Sequence, residues 1–246
     1  SFESIKKIFK IAYNYNFRFP SFMSASKFYE GYALKSRDGK EILEKYEDRM
    51  SIVALYLAQG DTEKAEKWVN TLMRTYQPAT PTFLNVGKKA RGELVSCFKL
   101  SVDDSMNSIA HNIGNALQLS KMGGGVGINL TDLRPMGDPI KGILNRASGV
   151  MPVAKLLENS FSYANQLGQR AGSGVIWINI FHGDIEDFVS AKKPNADEKI
   201  RLATLSTGIV VPDIFFELMR QDKDMVLFSP YDIEKEYGKR MSEISI

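Results

Sequence analysis

Cysteine is nearly absent: Cys97 is the only one in 246 residues. A single thiol excludes an intrachain disulfide framework and a cysteine-rich zinc site. It suits a reducing, intracellular compartment, so a cytoplasmic location is expected. Histidine is almost as scarce. His111 and His182 lie far apart with no ligand spacing around them, so both read as structural or surface residues and no metal site is expected. No apolar run approaches the ~20 residues needed to cross a bilayer, so no membrane association is expected. The opening Ser1-Phe2-Glu3 has neither an initiator methionine nor an apolar leader, and reads as the middle of a longer reading frame. Long basic blocks are missing too. The 32 basic and 29 acidic residues are interspersed, net charge +3, with no block longer than a pair such as Lys88-Lys89. A nucleic-acid surface is not indicated, although small anionic ligands remain compatible.

What is present is an ordinary globular composition, 43% hydrophobic and 25% charged, in a chain long enough to bury a core. Ile42, Tyr46, Met50, Val53 and Leu57 recur at helical steps until Gly60 stops the run. Asp61 is placed to cap a second helix, whose stripe is Ala65, Trp68, Val69, Leu72, Met73 and Tyr76. Residues 1–76 are therefore expected to form a helical domain. From Pro78 the texture changes. Pro78-Ala79-Thr80-Pro81-Thr82 reads as a stiff, non-helical segment. Strand candidates follow at Leu94–Leu100, Val126–Leu130, Val175–Phe181, Leu205–Val211 and Met225–Phe228. Helices are expected at Ser105–Met122 and Met151–Leu167, and between the last two strands, with Pro212 at its first position. Alternating strands and helices predict an α/β region with a parallel sheet over residues 77–246.

Three places in this pattern could carry chemistry. Cys97 sits in the first strand candidate, where it reads either as a small buried hydrophobe or as a redox thiol whose partner this chain does not contain. The run Gly123 to Gly127 lets a backbone approach a phosphate or sugar, but a structural turn explains it equally well. It is not a Walker A loop, and it precedes a strand instead of following one, which disfavours a dinucleotide-binding oxidoreductase. The polar loop Gln166 to Gly174 carries one guanidinium and two amides suited to phosphates and base edges, or it is a solvated connector.

Several strings resemble the large subunit of aerobic ribonucleotide reductase of the class Ib type. They are PSFMSASKFY (20–29), QPATPTFLN (77–85), GELVSCF (92–98), ALQLSK (116–121), SYANQLG (162–168), NADEKIR (195–201) and LFSPYD (227–232). They span nearly the whole chain in order. The resemblance implies a helical domain followed by the first half of a ten-stranded α/β barrel. It implies reduction of ribonucleoside diphosphates at the 2′ carbon, in which a thiyl radical abstracts the 3′ hydrogen and a cysteine pair supplies electrons. Cys97 matches the first cysteine of that pair, and Thr80, Ser96, Cys97 and Gly125 match substrate contacts. Asp104 and Arg134 match the allosteric specificity site, which takes a dNTP with its Mg2+, ATP being the family's other effector. Arg134 to about Ser148 is then the first effector loop. Gln166 to Ser173 is the second, with Gln166 and Arg170 reporting effector identity. The implied partners are the C-terminal half of the large subunit, a radical-generating small subunit that holds the metal-radical cofactor, a glutaredoxin-like or thioredoxin reductant, and a second copy in a homodimer.

The family's radical cysteine stands in an Asn-x-Cys-x-Glu pattern, and none occurs in these 246 residues. The chain alone is therefore expected to bind nucleotides without turning them over. The competing expectation is a nucleotide-binding or regulatory remnant with no catalytic partner.

Overall fold

A computed structural model describes residues 1–74, 76–88, 92–164 and 173–244. The chain forms two compact units, Ser1–Ser96 and Cys97–Ile246. The first is helical: α1 (Phe2–Tyr13), α2 (Phe22–Gly31), α3 (Tyr46–Ala58), α4 (Thr62–Arg74) and α5 (Thr80–Asn85). Its core takes one stripe from each long helix: Ile8 and Ala12 from α1, Met50, Val53 and Ala54 from α3, and Ala65, Val69 and Leu72 from α4. The expected terminators are in place. Gln59 takes a left-handed conformation ahead of Gly60, and the Asp61 carboxylate accepts from the Lys64 amide at 3.0 Å to start α4. An aromatic cluster closes the unit, with Phe17 stacked on Tyr46 at 3.9 Å and Phe28 against Phe83 at 6.0 Å. Phe83, Val86 and Leu94, grouped above with the barrel, pack in this core and belong to the helical unit.

The segment around Pro81 is not the non-helical stretch expected. Pro81 lies in the first turn of α5, where its missing N–H has no helical partner to lose. The strand expected at Leu94–Leu100 starts later, because Leu94 stays with the helical unit and its carbonyl accepts from the Thr82 hydroxyl at 3.2 Å.

The second unit is built on four parallel strands in sequence order: β1 (Cys97–Ser101), β2 (Gly125–Asn129), β3 (Ser173–Asn179) and β4 (Ser206–Val210). Helix α6 (Met106–Lys121) joins β1 to β2, α7 (Val150–Tyr163) lies between β2 and β3, and α8 (Ile185–Ser190) lies between β3 and β4. Helices α9 (Asp213–Arg220) and α10 (Pro230–Tyr237) follow. Pro212 caps α9 from outside instead of opening it, and residues 225–228 make a single bridge, His182 to Phe228, in place of a fifth strand.

A parallel sheet covered on both faces reads as continuous apolar runs. These strands alternate instead. One face carries Leu100, Val126, Ile128, Ile176, Ile178 and Ile209 into a core with Ala116, Ala154, Leu157 and Phe161. The other carries Cys97, Lys99 and Ser101 beside Gly125, Gly127 and Asn129, then Trp177, then Ser206, Gly208 and Val210. Most of this second face is exposed or half-buried. The Trp177 indole lies across it, so close to Gly208 that a Cβ there would stand 2.4 Å from the ring.

Candidate functional site

The amino ends of the strands hold the thiol. Cys97 is the first residue of β1, not a mid-strand one, and it is exposed. Its register partner is Gly125, the first residue of β2, whose own partner is Ser173 on β3. Register partners share a face, so Cys97 and Gly125 stand side by side on the open face of the sheet. The thiol is thus not the buried small hydrophobe that chemistry alone allowed. The glycines before β2 divide into two kinds. Gly123 has φ +92°, which favours glycine by backbone conformation, and a Cβ on Gly124 would stand 2.6 Å from the Phe98 ring and 2.9 Å from the Leu119 carbonyl, so Gly124 is required by packing. Gly125 opens the strand next to the thiol. Thr80, exposed at the start of α5, and half-buried Ser96 belong to the first unit. Gln166 and Arg170 lie outside the described residues.

The carboxyl ends of the same strands hold a denser polar cluster. Asp104 follows β1, and Arg134 follows β2. Arg134 Nε donates to Asp104 Oδ2 at 2.5 Å, and the Arg134 amide donates to Oδ1 at 3.4 Å. The guanidinium also donates to the Pro139 carbonyl and lies over the Tyr231 ring, 4.5 Å from its centroid. Both charges are mostly covered, which strengthens their attraction relative to a surface pair. Arg240 reaches Asp103 at 2.5 Å, a more exposed pair. The two residues assigned to the specificity site are therefore brought together, as each other's partner. Among the described residues no group of three or more His, Cys, Asp or Glu side chains is placed to hold a metal ion.

Arg134 opens a loop that runs to α7 and supports itself. Ile140 and Ile143 each donate an amide hydrogen bond to the other's carbonyl, at 3.1 and 3.0 Å, around Lys141 and Gly142, both with positive φ, the geometry of a tight two-residue hairpin turn. Gly137 donates to the Ala147 carbonyl at 3.0 Å and accepts from the Asn145 amide at 3.0 Å. Its tip presents Ile143 and Leu144, the latter 71% exposed.

The turn after β3 holds the base of this loop, a role that sequence reasoning missed. Asp184 Oδ1 accepts from the Met136 amide at 2.9 Å, and Oδ2 accepts from the Val150 amide at 2.8 Å. Hydrogen bonds to a charged group contribute about 1.5–3 kcal/mol each. His182 is fully buried; its Nε2 donates to the Leu133 carbonyl at 2.7 Å, and its Nδ1 accepts from the Asp184 amide at 2.9 Å. That pattern requires the neutral ring. Burial lowers the His182 pKa below its ordinary value, against the Leu133 carbonyl and the carboxylates of Asp184, Asp138 and Asp132, which pull it upward. Asp184 directly before an apolar helical run signals a local cap. No local feature signals that its carboxylate serves residues 136 and 150.

Comparison with known proteins places both units in one family. Residues 18–91 match the model of the ribonucleotide reductase all-alpha domain, and residues 95–244 match that of the ribonucleotide reductase barrel domain. The whole chain is 58% identical to part of the ribonucleoside-diphosphate reductase subunit alpha of Bacillus subtilis (strain 168), covering 35% of that protein. It is 58% identical to the nrdEB subunit alpha of Bacillus phage SPbeta, covering 23%, and 52% identical to the subunit alpha of Mycoplasma pneumoniae, covering 34%. The chain thus spans about a third or less of these relatives. With an all-helical unit leading into a parallel-stranded barrel unit, and both matched in order, the chain belongs to the ribonucleotide reductase large-subunit family.

Proposed function

We propose that this chain is part of a class Ib ribonucleoside-diphosphate reductase large subunit, acting in the cytoplasm. It supplies one redox thiol, substrate contacts and the effector loops. The observation that carries this reading is the pairing of exposed Cys97 with Gly125 on the face of the parallel sheet opposite its core. A thiol beside a residue without a side chain leaves space for a sugar to approach it. In the reaction, a thiyl radical supplied from elsewhere removes the 3′ hydrogen and returns it to the sugar once the 2′ carbon is reduced. The 2′ hydroxyl leaves as water, and two thiols give two electrons and two protons as they become a disulfide. Cys97 is one of those thiols. By the family resemblance, Thr80 and Ser96 of the first unit and the Gly125 backbone of the second are each substrate contacts. The second reducing thiol and the radical cysteine come from the C-terminal part, the radical itself from a metal-bearing small subunit, and the electrons for re-reduction from a glutaredoxin-like protein or thioredoxin.

At the other end of the strands, Arg134 binds phosphate and Asp104 a sugar hydroxyl of a dNTP, carried with its Mg2+. Gln166 and Arg170 read the effector base. Exposed Ile143 and Leu144 offer apolar surface for the homodimer that the resemblance implies. The test is CDP reduction by the chain joined to its C-terminal complement, with small subunit and dithiothreitol. Cys97→Ser is expected to reduce turnover to background while the protein stays folded. Unimpaired turnover contradicts the role given to Cys97, and turnover by the 246 residues without a complement contradicts the reading as a whole.

A further inference from the structure

The chain from Leu130 to Gly149 leaves β2 and ends at α7. Three backbone points at its base, the Leu133 carbonyl and the Met136 and Val150 amides, are held by two side chains from one turn, His182 and Asp184. Val150 is the first residue of α7, and Gly149, its cap residue, supplies no side-chain bond there. Asp184 therefore caps α7 from another segment, while its other oxygen holds the opposite end of the loop. Gly149 is cut to fit. It has φ +78°, and a Cβ there would stand 2.5 Å from Asp184 Oδ2 and 3.0 Å from the Met136 amide. His182 in turn fixes the Asp184 backbone through Nδ1. Asp184 is 8% exposed, so this is an internal brace and not a ligand contact. Strand β3 leads into this turn, so the brace ties the loop bearing Arg134 to β3.

We infer that Asp184 is a positioning residue, seated by His182, that shuts the base of the 130–149 loop and thereby presents Arg134 to an effector triphosphate in one register. The inference rests on Arg134 being the phosphate contact. It is tested on the 246-residue chain by two measurements together, amide hydrogen exchange resolved by peptide and calorimetric titration of dTTP. The proteins are wild type, Asp184→Asn, Gly149→Ala and Ile176→Val. The two brace variants attack one contact from opposite sides, so a folding failure of one leaves the other to decide. Ile176→Val mildly trims the buried core of β3 and serves as the control for lost stability. Both brace variants are expected to speed exchange within 134–150, leave the β2 and β3 peptides as protected as in wild type, and weaken dTTP binding about tenfold. Ile176→Val should bind dTTP as wild type does. Unchanged dTTP affinity in both brace variants overturns the inference, as does exchange that rises evenly across the unit. If wild type itself binds no dTTP, the reading of Arg134 has failed. Exchange then decides the brace alone: loosening confined to 134–150 supports it, and a loop as protected as wild type overturns it.

Discussion

The two ends of the β1–β4 sheet differ in how much of their chemistry this chain contains. At the carboxyl ends, Asp104, Arg134 and Tyr231 form one group, and His182 and Asp184 form a second that holds neighbouring backbone, each residue with a partner within the same unit. At the amino ends, one exposed thiol faces a glycine across the strand pair. A charged cluster that is satisfied internally can hold its geometry unaided, because each desolvated charge is offset by its neighbour. A two-electron thiol reduction needs a second thiol, and Cys97 is the only cysteine in the sequence. On the proposed reading the carboxyl ends serve regulation and the amino ends serve redox chemistry, and the second reducing thiol comes from outside these residues.

The largest expected effect on that contrast comes from Arg134→Ala. It removes a guanidinium that is mostly buried among Asp104, Pro139 and Tyr231. If Arg134 binds effector phosphate, dTTP affinity falls by about one to two decades, from roughly 1.5–3 kcal/mol per charge-assisted contact. Asp104→Ala should act more weakly, through a lost sugar contact. Calorimetric titration checks both, and wild-type affinity in both variants would remove these residues from the site.

A second comparison is structural. Gly124→Ala forces a methyl into the Phe98 ring and the Leu119 carbonyl, and should destabilise the barrel unit by about 1–3 kcal/mol. Thermal unfolding followed by circular dichroism measures this. A melting temperature equal to wild type would show that Gly124 is not required by packing.

The smallest effect is pH-dependent. His182 has a folded-state pKa below its ordinary ~6.5, because burial disfavours the charged ring. The unfolded chain therefore takes up the proton first as pH falls. Stability from the neutral ring is fully present above about pH 6.5 and is lost as pH drops below that value. The loss by pH 5.5 is at most about 1.4 kcal/mol, the free energy of one pKa unit. His182→Gln should flatten the dependence between pH 7.5 and 5.5 in denaturant titrations. A wild-type slope retained in that variant would assign it to other groups.

Much of the fold is legible in the sequence because it rests on periodic burial. The α4 stripe, the Ser105 cap of α6 and the branched run of β3 each follow from local pattern. The errors arise where tertiary context overrides that pattern. Pro81 looks like a helix breaker until it falls in a first turn, and residues 225–228 have strand composition but receive only one bridge from the sheet. The site was less legible. Cys97, Gly125, Asp104 and Arg134 came from family resemblance, since no local spacing distinguishes a redox thiol from a packed one. Asp184 escaped notice because its partners are 48 and 34 residues away, and a cap supplied from another segment leaves no periodic trace.

The division of labour between the sheet ends is tested most directly by one single-turnover experiment. The chain, its C-terminal complement and the small subunit are fully reduced, freed of external reductant and given CDP, and the Cys97 peptide is then examined by mass spectrometry. If Cys97 is one of the two reducing thiols, dCDP forms once per site and the Cys97 peptide is recovered disulfide-linked to a peptide of the complement in the same proportion. Formation of dCDP with the Cys97 thiol still reduced would contradict the account.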